Sequence, residues 1–191
     1  MTDLTADRVA ELVEAYEREE PFAMVERERL ETLPGAARDG ELLWRDLEWI
    51  VRWYHRRYLD DRHRGRRARV EAAFRDNPGA ILFPAVEAAL DAEALPDRLG
   101  HLTDLRGVGL EEATAILFFL APTVDVVMGP REWAGLEAAH LVLRPYPDTP
   151  DVATYDAYHR ICREHADRVG VDLVDLQRAL WRLGETSRST A

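Results

Sequence analysis

Apolar positions recur at helical spacing along almost the whole chain, and no region is rich in strand-like alternation. Val9, Leu12, Val13 and Tyr16 trace one face of a first helix, which Thr5 caps and Pro21 ends. A second, charged helix runs to about Leu33, where Pro34-Gly35 predicts a break. Leu43, Leu47, Ile50, Val51, Tyr54 and Tyr58 form the stripe of a long amphipathic helix, with Trp44, Trp49 and Trp53 beside it. An arginine-rich helix follows and ends near Asn77-Pro78-Gly79. Residues 82–95 read as helix, with Pro84 tolerable in the first turn. Leu99 to Asp104 leads into a glycine turn, and 110–120 is an apolar helix. Pro130 opens a short helix through Leu141, and Pro145, Pro147 and Pro150 stiffen a linker. Two helices, 152–169 and 171–183, close the pattern, and Val124 to Met128 is the one stretch that reads as extended. The pattern predicts an all-α fold in a single compact domain, with residues 184–191 as a disordered tail.

Composition narrows the chemistry. The 191 residues are 47% apolar, enough for a substantial core. The formal net charge is -11, and all 25 basic side chains are arginine. Without lysine, lysine-based covalent catalysis is excluded. A carboxylate-rich, lysine-free surface stays hydrated in concentrated salt, which suggests a salt-rich cell. At ~1 M salt the Debye length is only ~3 Å, so long-range self-repulsion is small there. The same surface is expected to be less stable in dilute buffer. The single cysteine, Cys162, allows no internal disulfide and no four-cysteine iron-sulfur cluster. Met1 to Thr5 lacks the charged and apolar run of a secretory signal, and the longest apolar run, 113–121, is too short to span a bilayer. The expectation is a cytoplasmic protein with no membrane partner. Asp156, His159, Cys162 and His165 recur every three residues, a pattern that drifts by about 60° per step on an α-helix and cannot converge on one ion. No metal site and no cofactor are expected.

Two stretches carry candidate chemistry. The first is Leu105-Arg106-Gly107-Val108-Gly109, between two helical patterns. Its glycines permit a tight turn and close backbone approach, and amides at the start of the next helix suit a phosphate. Glu111 and Glu112 sit well with the helix dipole but repel a phosphate placed nearby. A tight interhelical connection is the alternative reading of this turn. The second stretch holds Arg52, Arg56, Arg57, Arg62, Arg64, Arg66, Arg67 and Arg69, with His55 and His63, against Asp60 and Asp61. Trp53, Tyr54 and Tyr58 interleave aromatics that can stack on bases, as a nucleic-acid groove would. The alternative pairs these arginines with carboxylates of neighbouring helices and places the aromatics, Trp53 first, in the core.

Leu105-x-Gly107-Val108-Gly109, then Ala113 and Ala115, an apolar helix, and Val126-Val127-Met128-Gly129-Pro130-Arg131 resemble the helix-hairpin-helix DNA glycosylase superfamily. The chain looks most like a branch sharing the 8-oxoguanine glycosylase fold. The resemblance spans roughly residues 43–183, with its specific core at 105–133. It implies a cleft between two helical halves, a hairpin that holds one DNA strand and a base flipped into the cleft. In that superfamily a lysine two residues after the last hairpin glycine is the nucleophile of bifunctional members; Glu111 stands there. An aspartate after the short hydrophobic run serves most members; Gly129 stands there. Asp125, four residues earlier, is the nearest acid.

The resemblance therefore implies a glycosylase scaffold without its catalytic groups. The expectation is a non-catalytic protein that binds double-stranded DNA with low sequence specificity, through Arg106, Gly107, Val108 and Gly109, with Arg131 and the 52–69 arginines adding contacts. The alternatives are a monofunctional glycosylase using Asp125 or Glu111, and a protein-interaction module whose cleft has filled with aromatic side chains. In a salt-rich cell, counterion release contributes little, and DNA binding must rest on hydrogen bonds, stacking and shape.

Overall fold

The computed structural model describes residues 4–58 and 64–188; the side chains at 64 and 186–188 lie outside this description. Among the described residues there are ten helices and no strand. They are α1 (Ala6–Glu19), α2 (Ala23–Arg38), α3 (Trp44–Arg56), α4 (Arg64–Arg75), α5 (Gly79–Asp91), α6 (Leu95–Thr103), α7 (Leu110–Leu120), α8 (Pro130–Ala138), α9 (Val152–Val169) and α10 (Leu173–Arg188). The fold is all-α.

The centre is α7. Every residue from Glu111 to Leu120 is buried, so this helix is apolar all round rather than amphipathic. Helices α2, α3 and α6 pack on it, and α4 packs on α3. On the other side α10 binds α8 and α1. The α8–α10 approach is close. A Cβ on Gly135 would run into the Leu180 backbone, and one on Gly184 into the Arg131 backbone. Local signals explain several boundaries. The Thr5 side chain accepts from the Arg8 amide at the start of α1. Asp151 caps α9 by accepting from the Thr154 amide at 2.8 Å, and Gly170 ends it in the left-handed conformation with φ 74°.

The break expected at Pro34-Gly35 does not occur; α2 runs through it to Arg38. A proline removes one backbone hydrogen bond, a local cost. Burial of Leu33 and the packing of α2 on α7 hold the helix on both sides of it. The segment expected as one helix over 82–95 is instead α5, starting at Gly79, and α6, starting at Leu95. The loose tail expected from 184 is helical through Arg188, because Leu183 and Gly184 are held against α8; residues 189–191 lie outside the described residues.

Val124 lies in the turn after α7, and residues 125–128 belong to no helix or strand. Side chains satisfy their backbone instead. The Val127 amide donates to Gln177 at 3.0 Å and the Met128 amide to Thr114 at 3.1 Å. Tyr155 and Tyr158 donate to the carbonyls of Val126 and Val127. A buried segment outside any helix or strand needs such partners. They pin the approach to Gly129 from α7, α9 and α10 at once.

Candidate functional site

The hairpin turn links α6 to α7, and its geometry follows from packing against α4. Gly107 adopts φ 73°. A Cβ there would lie 2.7 Å from both the Phe74 amide nitrogen and the Val70 carbonyl oxygen. Asn77, at the end of α4, locks the turn from below. Its Oδ1 accepts from the Arg106 amide at 3.0 Å, and its Nδ2 donates to the Arg106 carbonyl at 2.8 Å. The Val108 amide donates to Leu105, and the Gly109 amide donates to Glu112 at 2.9 Å. Leu105 and Val108 are buried. The open, outward-facing amide cradle expected at 106–109 is therefore not what the turn presents. Three of its four amides are used internally, and the carboxylate of Glu112 sits at the helix start where a phosphate was expected. The Arg106 side chain is exposed.

Glu111 and Glu112, both in the first turn of α7, are buried and held. Arg66 lies 2.6 Å from Glu111, and the Tyr146 hydroxyl donates to Glu111 at 2.8 Å. His55 lies 2.8 Å from Glu112. Burial pushes the Glu112 carboxyl up, but His55, the backbone amide and Arg66 outweigh it, and the group lies below the usual carboxylate range. Burial first, and Glu111 next, push the Tyr146 phenol up, so it stays a donor.

Gly129 caps α8. A Cβ there would stand 2.7 Å from Glu132 Oε2, 2.8 Å from the Tyr58 hydroxyl and 2.9 Å from the Tyr54 hydroxyl. The space an aspartate side chain would take is filled by a carboxylate from one turn further along α8 and by two phenols from α3 and its C-terminal end. Glu132 is 0% exposed. Arg57 approaches its Oε1 at 2.9 Å and Gln177 donates to the same oxygen at 3.0 Å, whereas Oε2 has no hydrogen-bond partner among the described residues. The Arg57 guanidinium is itself sandwiched between the rings of Trp53 and Trp181, 3.9 and 4.0 Å from their centroids. Burial works against its charge, but Glu132 and the surrounding acidic groups more than offset this and raise its pKa. Burial followed by nearby carboxylates and phenols holds Tyr54 and Tyr58 protonated.

The other sequence candidates are dispersed. Asp125 is 0% exposed and forms a two-pronged pair with Arg98 of α6 at 3.1 and 2.7 Å. Its carboxylate is buried and both of its oxygens are held by Arg98. Arg131 stacks on Trp181 at 3.8 Å, pairs with Glu185 at 2.6 Å and donates to the Trp181 carbonyl. Arg57 is buried, so neither it nor Arg131 presents a free guanidinium. Arg52, Arg56 and Arg67 share Glu71 at 3.4 to 3.8 Å, and Arg52 also nears Glu48 at 3.7 Å. The Arg52–Glu48 and Arg67–Glu71 pairs follow from the helical period, whereas Arg52 and Arg56 reach Glu71 from α3 across to α4. Arg62 lies outside the described residues, as does the Arg64 side chain, although Arg64 begins α4.

Glu132, Gln177 and Asn77 were not singled out from sequence. The available signal for Glu132 was its position three residues after Gly129, in the first turn of a helix opened by Pro130. Among the described residues no group of three or more His, Cys, Asp or Glu side chains could hold a metal ion, and no helix is long and apolar enough to cross a membrane. His159 bonds the Val124 carbonyl, Cys162 is buried, and His165 bonds the Leu4 carbonyl. Comparisons with protein-family models, curated proteins and solved structures give no match for this chain.

Proposed function

We propose that this chain is a non-catalytic nucleic-acid-binding protein on a helix-hairpin-helix glycosylase-like scaffold, gripping the backbone of double-stranded DNA with low sequence specificity. The observation that carries this reading is the docking of α4 under the glycine turn. Val70, Ala73 and Phe74 form the contact with Gly107. Arg66 and Arg69 lie one helical turn before that contact on α4, Arg66 paired with Glu111 and Arg69 exposed, and the exposed Arg106 directly precedes Gly107 in the turn. Arginines from two segments thus border one turn in a chain of net charge -11. The grip comes from guanidinium groups rather than from the turn's amides, which are occupied. Guanidinium forks suit phosphate oxygens and carry no sequence information.

The test is fluorescence anisotropy with labelled duplexes, with and without base lesions, at ~0.1 M and ~2 M salt. The expected result is binding that barely distinguishes sequence and that the Arg69→Glu/Arg106→Glu double variant weakens by about tenfold or more. Absence of binding in every condition overturns the reading.

A second reading is enzymatic, and one observation favours it: the unpartnered Oε2 of Glu132 beside Gly129. In that reading Glu132 supplies the carboxylate that position 129 lacks, in a monofunctional base-excising enzyme. Release of free base from damaged DNA, lost in Glu132→Gln, supports it; no release from any lesion-bearing duplex rules it out.

A further inference from the structure

The molecule has a second positively charged feature, on the α2–α3 side and apart from the glycine turn. A cavity of about 320 Å³ opens between these helices, with Phe22 and Trp53 among its walls. Arg29, Arg45, Arg52 and Arg56 line it, against Glu48 alone. The surrounding carboxylates do not cancel this charge. Arg29 is well paired, with Asp46 at 2.6 Å. Among the described residues, Arg52 and Arg56 have only long contacts, 3.4 to 3.8 Å, to Glu48 and Glu71. Glu71 is also shared with Arg67 and Arg75, at 3.8 and 3.9 Å, and Glu48 is taken by Arg75 at 3.0 Å. Arg45 is exposed and makes no ion pair among the described residues. Six arginines therefore meet three carboxylates, in a protein whose overall charge is strongly negative. Like charges this crowded are stabilised by an anion placed among them.

An aromatic wall adjoins this charge. Trp49 is half-buried, with its edge contacts fixed by Phe119 at 5.2 Å and its plane near that of Trp53. Its indole N–H makes no hydrogen bond among the described residues and is not among the buried unpartnered atoms, so it remains a donor open to a ligand. Arg29 lies 5.5 Å from the ring centroid. The cavity is at the lower end of the volume range of small-molecule sites.

We propose that this cavity binds a phosphate monoester joined to a flat heteroaromatic ring, the phosphate between Arg45, Arg52 and Arg56 and the ring against Trp49. Arginine forks match the phosphate oxygens, and the indole supplies stacking area and one donor. The shared chemistry has two sources, a free nucleoside monophosphate or the 5′-phosphorylated end of a strand. The site is independent of the duplex grip proposed above, and either can fail alone.

The experiment is tryptophan fluorescence titration of the full chain, in one buffer, with AMP, adenosine, inorganic phosphate, and a short single strand with and without a 5′-phosphate. The expected result is saturable quenching by AMP, about tenfold weaker with adenosine or phosphate alone. Arg45→Glu, an exposed position that leaves the core untouched, weakens AMP binding by about tenfold, and Arg52→Gln acts in the same direction. Trp49→Phe, which keeps most of the packing, weakens AMP more than it weakens phosphate. Tighter binding of the phosphorylated strand than of AMP identifies a strand end as the source; AMP binding alone identifies a free nucleotide. Equal affinity for AMP and adenosine, equal affinity for AMP and phosphate, no saturation with either phosphorylated probe, or AMP binding unchanged in Arg45→Glu and Arg52→Gln overturns the proposal.

Discussion

Glu132 Oε2 lies 2.7 Å from the point where a Cβ on Gly129 would stand. A carboxylate thus stands beside position 129 in space, delivered from the first turn of α8. It cannot retreat easily, because Arg57 and Gln177 both hold its other oxygen. Gly129 has φ -161°, an extended value that any residue adopts, so its constraint is space rather than backbone conformation. Gly129→Ala should cost about 1–3 kcal/mol from crowding alone. Gly129→Asp should cost more, because it adds a second carboxylate beside a buried one. Glu132→Gln in the Gly129→Asp background should recover part of that loss. Denaturant unfolding of the four proteins measures this; a Gly129→Asp variant as stable as the parent would show that the space is not occupied.

Two glycines separate conformational strain from steric clash. Gly107 and Gly170 share nearly the same φ, 73° and 74°. A Cβ on Gly170 meets nothing within 4 Å, whereas one on Gly107 meets the backbone of α4 at 2.7 Å. Gly170→Ala should cost about 1–2 kcal/mol, the left-handed penalty alone. Gly107→Ala should cost about 2–5 kcal/mol, since α4 must also move. Equal melting-temperature losses for the two variants would mean that the turn does not rest on α4.

Much of the helix pattern was legible, for local reasons. The bounds of α7 and α9 follow from a glycine pair before one and an Asp151 cap and Gly170 terminator around the other. Pro34 misled because the proline penalty is local, while Leu33 burial and the α2–α7 contact are tertiary. Part of the arginine stretch's counter-charge falls just outside a window of 52–69. Glu48 and Glu71 sit one helical turn from Arg52, Arg67 and Arg75, and were readable by spacing. The groups around Gly129 were not readable. Tyr54 and Tyr58 arrive from a helix some seventy positions earlier, and Gln177 from nearly fifty later. No periodicity within a segment carries such a meeting.

The Asp125–Arg98 pair gives a further prediction. Removing one partner of a buried pair strands the other charge, whereas replacing both with apolar groups does not. Asp125→Asn should cost about 3 kcal/mol, and Arg98→Met/Asp125→Leu should cost less than that. Ligand or DNA binding per folded molecule should be unchanged in Asp125→Asn. A thermal melt alongside a binding titration checks both; a binding defect in a fully folded Asp125→Asn protein would restore Asp125 to a functional role.

His165 ties the start of the chain to α9 in a pH-dependent way. Its Nε2 lies 2.8 Å from the Leu4 carbonyl, and the Arg168 guanidinium lies 2.6 Å from its Nδ1. A carbonyl accepts and a guanidinium donates, so the network specifies the neutral imidazole with its proton on Nε2. Burial lowers the His165 pKa, the Leu4 carbonyl works against this, and Arg168 lowers it further; the net shift is downward. A histidine with a folded pKa below its unfolded value of about 6.5 contributes stability that is present above that value and lost as pH falls through it. The melting temperature should therefore decline between about pH 7.5 and pH 5.5. His165→Gln, whose amide can still donate to Leu4, should flatten that part of the profile, and Arg168→Ala should reduce its slope. The remaining decline belongs to other groups, so the difference between parent and His165→Gln is the quantity to read. A difference that does not change across this range would mean that His165 does not titrate against the Leu4 contact.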